Sequence, residues 1–199
     1  MGNCLSVFGW TYINFREPHR ILSLGLDGSG STSLLMKLNN DQLANCNVPT
    51  IGFNVETICH KDAQMMIWDV GGMKSIRPYW RCYFQDTKGV IFSVDSAERK
   101  RIKESKMEFD QLVEADELQD SCFLVLANKQ DLPNAMSPEE IIEEMGLHEI
   151  KHVNWEVFPV CAITGEGLEE GMDWLVAYVH NKEVKNAKGT GMLVKPAKR

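Results

Sequence analysis

The sequence predicts a three-layer α/β fold in which helices cover both faces of a mostly parallel six-stranded sheet. Six apolar runs have the length of strands, and helix-like segments separate most of them, an alternation that is typical of parallel sheets. Loops rich in glycine and polar residues follow the ends of several runs. Ligands bind at the carboxyl ends of the strands in such sheets, so these loops are where we expect a functional site.

The elements follow one another in a regular order. The first strand leads through a glycine-rich loop into a helix that begins near Thr32. The next two strands are joined by the polar turn His60-Lys61-Asp62, which predicts a hairpin. The predicted strands are 21–24, 53–58, 65–68, 90–94, 122–127 and 157–160, and the predicted helices are 32–38, 97–118, 138–145 and 168–180.

The composition is that of one globular domain with tails. The chain has 199 residues, of which 44% are hydrophobic, and its formal net charge is −7. This balance excludes a broad basic surface for nucleic acid. The six cysteines are scattered without the spacing of a disulfide framework, so we expect reduced thiols and a cytoplasmic protein.

Three regions are predicted along the chain. Residues 1–17 form an N-terminal amphipathic segment, residues 18–181 form the domain, and residues 182–199 form a flexible basic tail with one acidic residue. The N-terminus matches the signal M-G-x-x-x-[ST], which makes Gly2 a candidate for myristoylation. A helix in the first region either packs on the domain or lies in a membrane interface, and both alternatives stay open.

The loop between the first strand and the first helix resembles a phosphate-binding loop. The P-loop pattern is G-x-x-x-x-G-K-[ST], and Gly25, Gly30 and Thr32 occupy three of its fixed positions. Ser31 stands where the pattern has lysine. Backbone N–H groups in such a loop and at the helix N-terminus favour an anion, and Thr32 is placed to bind Mg²⁺. Taken alone, this loop is better explained as a plain glycine turn.

Two later loops have the character of a nucleotide site. Asp69, at the end of a strand and before Gly71 and Gly72, matches a Walker-B arrangement that supports Mg²⁺ and reaches a terminal phosphate. The segment from Asn128 to Asp131 reads N-K-x-D, and an aspartate there accepts hydrogen bonds that guanine donates and adenine does not. The order of these loops along the chain predicts a guanine-nucleotide site.

The last predicted strand leads into a loop that completes this set. Cys161 and Ala162 begin the loop, and the backbone N–H of Ala162 is a candidate donor to the guanine carbonyl oxygen.

These loops, together with several longer segments, resemble the Arf (ADP-ribosylation factor) and Arf-like family of small GTPases. The segments that carry the resemblance are PTIGFNVET at 49–57, WDVGG at 68–72, IRP at 76–78, NKQDLPNAM at 128–136 and GEGL at 165–168. The resemblance covers roughly residues 2–181. It implies the P-loop small-GTPase fold, GTP or GDP with Mg²⁺ as ligands, and a myristoylated Gly2.

The resemblance also assigns roles to individual residues. Thr32 and Thr50 would bind Mg²⁺, Asp69 would support it through water, and Gly72 would contact the γ-phosphate. Phe53, Trp68 and Trp80 would form an aromatic surface for effectors, although ordinary core packing is the alternative for these three side chains. The full set implied to bind the nucleotide is Asp27, Gly28, Ser29, Gly30, Ser31, Thr32, Ser33, Thr50, Gly72, Asn128, Lys129, Asp131, Cys161 and Ala162.

Two departures from the family pattern bear on activity. Ser31 supplies no positive charge to the phosphates, so we expect weakened nucleotide binding. Met73 replaces the glutamine that orients the attacking water, and a thioether is a poor hydrogen-bonding group. No intact catalytic residue is therefore predicted, and we expect GTP hydrolysis to be very slow.

Two functions remain open at this level. The first is a membrane-associated switch in vesicle trafficking, which works with an exchange factor, a GTPase-activating protein and effectors of Arf type. The second is a pseudo-GTPase, a scaffold that binds effectors without cycling. We further expect a monomer without affinity for nucleic acid, located in the cytoplasm and at the surface of Golgi or other endomembranes.

Overall fold

The computed structural model describes residues 17–39 and 50–189, with side chains through residue 180. The strands are β1 (His19–Gly25), β2 (Phe53–His60), β3 (Ala63–Val70), β4 (Gly89–Asp95), β5 (Cys122–Asn128) and β6 (Asn154–Pro159). The α-helices are α1 (Ser31–Leu38), α2 (Ile102–Val113), α3 (Pro138–Met145) and α4 (Leu168–Gly189). Short 3₁₀ helices span Arg77–Tyr83, Arg99–Arg101, Asp116–Leu118 and Leu147–Glu149.

The six strands form one sheet in the order β2-β3-β1-β4-β5-β6. Strand β2 pairs antiparallel with β3 as a hairpin at the edge of the sheet, and every other neighbouring pair is parallel. The carboxyl ends of the parallel strands β1, β3, β4, β5 and β6 therefore lie on the same side of the sheet. The predicted fold class is confirmed, and the loops that carry the predicted site residues meet at these carboxyl ends.

Helices cover both faces of the sheet. Helices α2 and α3 pack on one face, where Phe109 and Met145 lie in a core with Phe92 and Phe123 from the central strands. Helices α1 and α4 pack on the other face, where Leu34 and Met172 belong to a second core cluster. Strands β4 and β5 are almost wholly buried between these layers, as continuous apolar runs in a parallel sheet require.

Two predicted helices have different bounds in the structure. The segment predicted as one helix at 97–118 contains a 3₁₀ turn, helix α2 and a second 3₁₀ turn, and Ala115, in an extended conformation, separates α2 from the second turn. Helix α4 continues to Gly189, past the predicted end at His180, so the predicted tail begins inside a helix. The N-terminal segment 1–16, with Gly2, and residues 40–49 and 190–199 lie outside the described residues.

Candidate functional site

The loop from β1 to α1 has the backbone shape of a phosphate loop. Gly28 and Gly30 adopt φ angles of 81° and 89°, a region that favours glycine. A side chain at Gly25 would collide with the hydroxyl group of Ser93. No side chain caps the N-terminus of α1 at Gly30, so no capping side chain competes with an anion for the first backbone N–H groups of the helix.

Ser29 is fixed at the centre of this loop by three contacts. The hydroxyl of Ser93 donates to Leu24 O at 3.3 Å, so the Ser29 hydroxyl donates to Ser93 Oγ at 2.7 Å. The Ser29 carbonyl accepts from Asn128 Nδ2 at 2.8 Å, and the Ser29 N–H donates to Leu26 O at 3.1 Å. The polypeptide of the loop is thus held from β4 and from the end of β5.

Asn128 connects three loops of the site. Its Nδ2 group binds the phosphate loop at Ser29, and its Oδ1 accepts the backbone N–H of Ala162 at 3.1 Å. The sequence interpretation assigned that N–H to the guanine carbonyl oxygen. In the structure it is already bound to Asn128, so this assignment does not describe the conformation seen here.

The other residues of the N-K-x-D segment lie beside Asn128. Lys129 has a φ of 68° and donates from Nζ to Asp95 Oδ2 at 2.6 Å, which fixes its stem across the end of β4. Asp131 is exposed, and the thiol of the buried Cys161 donates to its Oδ1 at 3.2 Å. The carboxylate that would select guanine is therefore oriented by the neighbouring loop.

Three side-chain oxygens converge next to the phosphate loop. The hydroxyl of Thr32 donates to Asp69 Oδ2 at 2.6 Å, and it lies 2.8 Å from the Thr50 hydroxyl. Asp69 is fully buried, and its Oδ1 has no hydrogen bond within the described residues. Burial raises the pKa of Asp69. Hydrogen bonds from nearby hydroxyls act in the opposite direction, and those of Thr32 and then Ser31 have the largest effect. A buried carboxylate oxygen without a partner, beside two hydroxyls, fits the oxygen ligands that Mg²⁺ prefers.

Gly72 lies against the phosphate loop, and Met73 follows it. The Gly72 carbonyl accepts the backbone N–H of Asp27 at 3.1 Å, and a side chain on Gly72 would collide with the Gly25 carbonyl. Met73 is half-buried, and its carbonyl accepts the N–H of Ile76 at 2.7 Å, which starts the following 3₁₀ turn. Its thioether occupies the place that the family pattern gives to glutamine.

The remaining predicted residues of the loop lie at the start of α1. Ser31 and Ser33 flank Thr32 in the first turn, and all three are half-buried. Ser31 brings a hydroxyl near Asp69, but no charge.

The aromatic surface differs from the prediction in one residue. Phe53 stacks on Trp68 with ring centroids 5.2 Å apart, and Tyr83 completes the group at 5.5 Å from Phe53 and 6.1 Å from Trp68. Trp80, which was predicted to be the third member, is buried and donates from Nε1 to Gly71 O at 3.0 Å. Assigning Trp80 to the effector surface was therefore wrong, and Tyr83 takes its place in the cluster.

Two arginines that the motif analysis did not assign border the site. Arg77 donates from Nη2 to Asp27 Oδ1 at 2.9 Å, and Arg101 donates from Nη2 to the same oxygen at 2.8 Å. Hydrogen bonds from Arg101, above all, hold the pKa of Asp27 below its usual range. Arg77 lies within the IRP segment, but no sequence signal marks Arg101, whose partner is 74 residues away along the chain.

A phosphate loop, a buried aspartate beside two threonines and an N-K-x-D segment on this sheet define a protein of the small-GTPase class. The model of the ADP-ribosylation factor family matches residues 6–179, and the chain belongs to that family. The chain is also similar to the structure of the Arl6 BBS3 small GTPase from Trypanosoma brucei, which has the nucleotide analogue GppNp bound. The two are 27% identical, the match covers 82% of this chain and 98% of that one, and the TM-score is 0.76.

Proposed function

We propose that this chain is a guanine-nucleotide-binding switch of Arf type that holds phosphate weakly and hydrolyses GTP very slowly. The observation that carries the proposal is the convergence of three loops at one edge of the sheet. Asn128 ties the phosphate loop at Ser29 to the loop at Ala162, and Thr32, Thr50 and Asp69 face one another beside them.

Each loop has a distinct task in this proposal. Asp131 accepts hydrogen bonds from the N1 and 2-amino groups of guanine, and the stem of Lys129 covers the base. The backbone N–H group of Gly28 and those from Gly30 to Ser33 bind the phosphates. Membership of the Arf family supports these tasks, since small GTPases of this family bind GTP and GDP.

Thr32 and Thr50 are the residues that would hold Mg²⁺, with Asp69 supporting it through water. Mg²⁺ supplies positive charge that neutralises the phosphate oxygens. Oδ1 of Asp69 supports this assignment, because it is buried without a hydrogen-bond partner among the described residues, and such an oxygen is costly unless a cation is close.

Slow hydrolysis follows from Met73. Its side chain neither donates a hydrogen bond nor accepts a strong one, so it does not orient an attacking water as glutamine does. Ser31 adds to the defect, since the phosphates lose the point charge of a lysine.

A scaffold that does not cycle is the second candidate function. Exposed apolar side chains in the aromatic cluster and next to it in sequence favour this function, because Phe53 is 47% exposed and Ile51, two residues before it, is 83% exposed. Large exposed apolar side chains grouped on one surface mark a site for a protein partner. Such a surface would bind effectors without any requirement for Met73 or Ser31 to support turnover.

We place the switch at the cytoplasmic surface of Golgi or other endomembranes, where it acts in vesicle trafficking as a monomer. Proteins of the Arf family generally work with exchange factors, GTPase-activating proteins and effectors, and we propose the same classes of partner here. No helix in the described part of the chain is long and apolar enough to cross a bilayer. Attachment in this proposal depends on a myristoyl group at Gly2, within the N-terminal segment 1–17.

The test is whether the protein carries guanine nucleotide. The full-length protein is purified, denatured with acid, and the released nucleotides are separated by chromatography. We expect GDP or GTP, and we expect uptake of added guanine nucleotide to depend on Mg²⁺. Protein that is empty and takes up neither GDP nor GTP with Mg²⁺ would leave only the scaffold.

A further inference from the structure

Arg77 is a buried cation that joins three separate parts of the protein. Its side chain is 4% exposed. Nε donates to the Gly72 carbonyl at 2.7 Å, Nη2 donates to Asp27 Oδ1 at 2.9 Å, and Nη1 donates to Glu104 Oε1 at 2.7 Å. One planar group therefore connects the segment after β3, the phosphate loop and helix α2.

Gly72 is held on two sides by this arrangement. Its carbonyl accepts Arg77 Nε at 2.7 Å and the backbone N–H of Asp27 at 3.1 Å. The absence of a side chain lets its backbone lie directly on the Gly25 carbonyl. The position of Gly72 relative to the phosphate loop is thus set by Arg77 and Asp27 together.

Helix α2 holds the other side of the guanidinium group. Glu104 and Glu108 accept from Arg77 Nη1 at 2.7 and 3.2 Å, and Glu104 also accepts from Arg101 Nε at 2.9 Å. Arg101 reaches back to the carbonyl of Asp27 at 2.8 Å. Two arginines and three carboxylates form a closed network, so the buried charge of Arg77 is fully paired.

We propose that Arg77 is a positioning residue that sets the relative affinity of this protein for GTP and GDP. It does so by fixing Gly72, the residue assigned to the γ-phosphate, against the phosphate loop. Only GTP has that phosphate, so a displaced Gly72 costs binding of GTP and leaves that of GDP nearly unchanged. The inference rests on the proposed nucleotide binding.

The missing lysine makes this contact more important. Ser31 contributes no charge to the β- and γ-phosphates, so backbone contacts such as that of Gly72 make up a larger share of the binding that remains. A residue that fixes Gly72 then has more influence on nucleotide affinity than it would have if position 31 were a lysine.

Arg77→Lys tests the proposal, because lysine keeps the charge and loses the planar fork that contacts three partners at once. Arg81→Lys is the matched control. Arg81 lies on the same 3₁₀ helix and pairs with Glu117 at 2.8 Å, but it is exposed and has no contact with Asp27 or Gly72 among the interactions described. Dissociation constants for GDP and for a non-hydrolysable GTP analogue are measured with Mg²⁺ on wild type and both variants.

We expect Arg77→Lys to weaken the GTP analogue by about tenfold and GDP by less than about threefold, while Arg81→Lys changes both by less than about twofold. Amide hydrogen exchange should increase in residues 72–83 of Arg77→Lys and stay unchanged in the central strands. Equal loss for both nucleotides, or no change in either, would overturn the proposal and leave Arg77 a structural residue.

A second variant tests the proposal if Arg77→Lys does not fold. Glu104→Gln retains the side-chain shape and removes one of the charges that hold Arg77, so we expect the same selective loss at smaller size. If wild type binds neither nucleotide, the proposed function fails and this inference fails with it. If wild type binds both and Glu104→Gln loses both equally, the inference alone fails.

Discussion

Ser31 lies in the first turn of α1, next to a loop whose backbone has the shape of a phosphate-binding loop. The loop glycines have the required φ angles, Ser29 is fixed from two other strands, and Thr32 is directed at Asp69. In the proposed site, Ser31 therefore departs from the family pattern by one missing charge. A single missing charge weakens phosphate binding without removing the backbone donors.

Replacing Ser31 and Met73 by the residues of the family pattern separates the effect on nucleotide binding from the effect on GTP hydrolysis. We expect Ser31→Lys to tighten GTP binding by about 10–150-fold, because a hydrogen bond to a charged group contributes about 1.5–3 kcal/mol. Met73→Gln should leave affinity nearly unchanged and raise the rate of GTP hydrolysis, most clearly when combined with Ser31→Lys. Equilibrium titration and phosphate release under single-turnover conditions measure the two effects.

The controls for Ser31→Lys and Met73→Gln introduce a lysine and a glutamine at exposed positions outside the proposed site. Thr57→Lys places a lysine on an exposed position of β2, and Met107→Gln changes an exposed methionine of α2. Neither should alter affinity or hydrolysis. A double variant Ser31→Lys, Met73→Gln with wild-type hydrolysis would show that another feature limits turnover.

At the same scale, the aromatic cluster shows where sequence reasoning stops. Trp80 and Tyr83 are both aromatic and lie one turn apart in the 3₁₀ helix that follows β3. Which of them reaches Phe53 depends on the direction in which the chain leaves the sheet. Trp80 points to Gly71 O. This is a tertiary contact, and the local sequence pattern does not predict it.

At the scale of elements, the strands were predicted well because they are short apolar runs between strong turn signals. The polar turn before Ala63 is an example, since Lys61 has a φ of 53° at the tip of the predicted hairpin. The helix predicted at 97–118 was too long. Its first part is a 3₁₀ turn at Arg99–Arg101, in which Arg99 pairs with Glu140 and Arg101 pairs with Asp27.

The tip of the β2–β3 hairpin is fastened to α4. His60 Nε2 and Lys61 Nζ each lie 2.6 Å from Asp173 Oδ1. The hydrogen bond from Lys61, and after it that from His60, lowers the pKa of Asp173. A folded carboxyl whose pKa is lowered stabilises the contact at neutral pH and loses that effect as the pH falls below its usual value of 3.8.

We expect Asp173→Asn to loosen the hairpin tip, because the amide carries no charge to hold Lys61. The measurement is amide hydrogen exchange at pH 7, with faster exchange expected in residues 58–63 and no change in β4 or β5. Glu170→Gln, an exposed substitution in the same helix, is the control. Unchanged exchange at 58–63 in Asp173→Asn would show that the backbone pairing of β2 with β3 alone fixes the tip.

At the scale of the whole molecule, the sheet accounts for most of what the sequence predicted. Parallel strands end at one edge, so motifs that are far apart in the chain, such as Thr32 and Asp69, meet without further information. The charged network around Arg77 was not predictable in this way. In this network the guanidinium group of Arg77 joins Asp27, Gly72 and Glu104 by hydrogen bonds. The spacing of these residues along the chain does not predict such contacts.

The proposed membrane attachment belongs to the scale of the whole chain, because we expect both terminal segments to contribute to it. One myristoyl chain gives only marginal binding, so a second signal is needed. The protein has a net charge of −7, yet residues 182–199 contain five lysines and one arginine against one glutamate. We infer that this basic segment is the second signal, through contact with anionic lipid.

Liposome sedimentation with myristoylated protein tests both signals. Gly2→Ala should abolish binding to every lipid mixture. Neutralising Lys195, Lys198 and Arg199 to glutamine should weaken binding to anionic vesicles by up to about a hundredfold, since each basic residue near the surface contributes about 1 kcal/mol. It should leave binding to zwitterionic vesicles unchanged, and the loss should shrink as salt is raised. Neutralising the exposed Lys100, Lys103 and Lys151 changes the net charge equally and should have no such effect, whereas an equal loss there would show that net charge, not the basic segment, governs attachment.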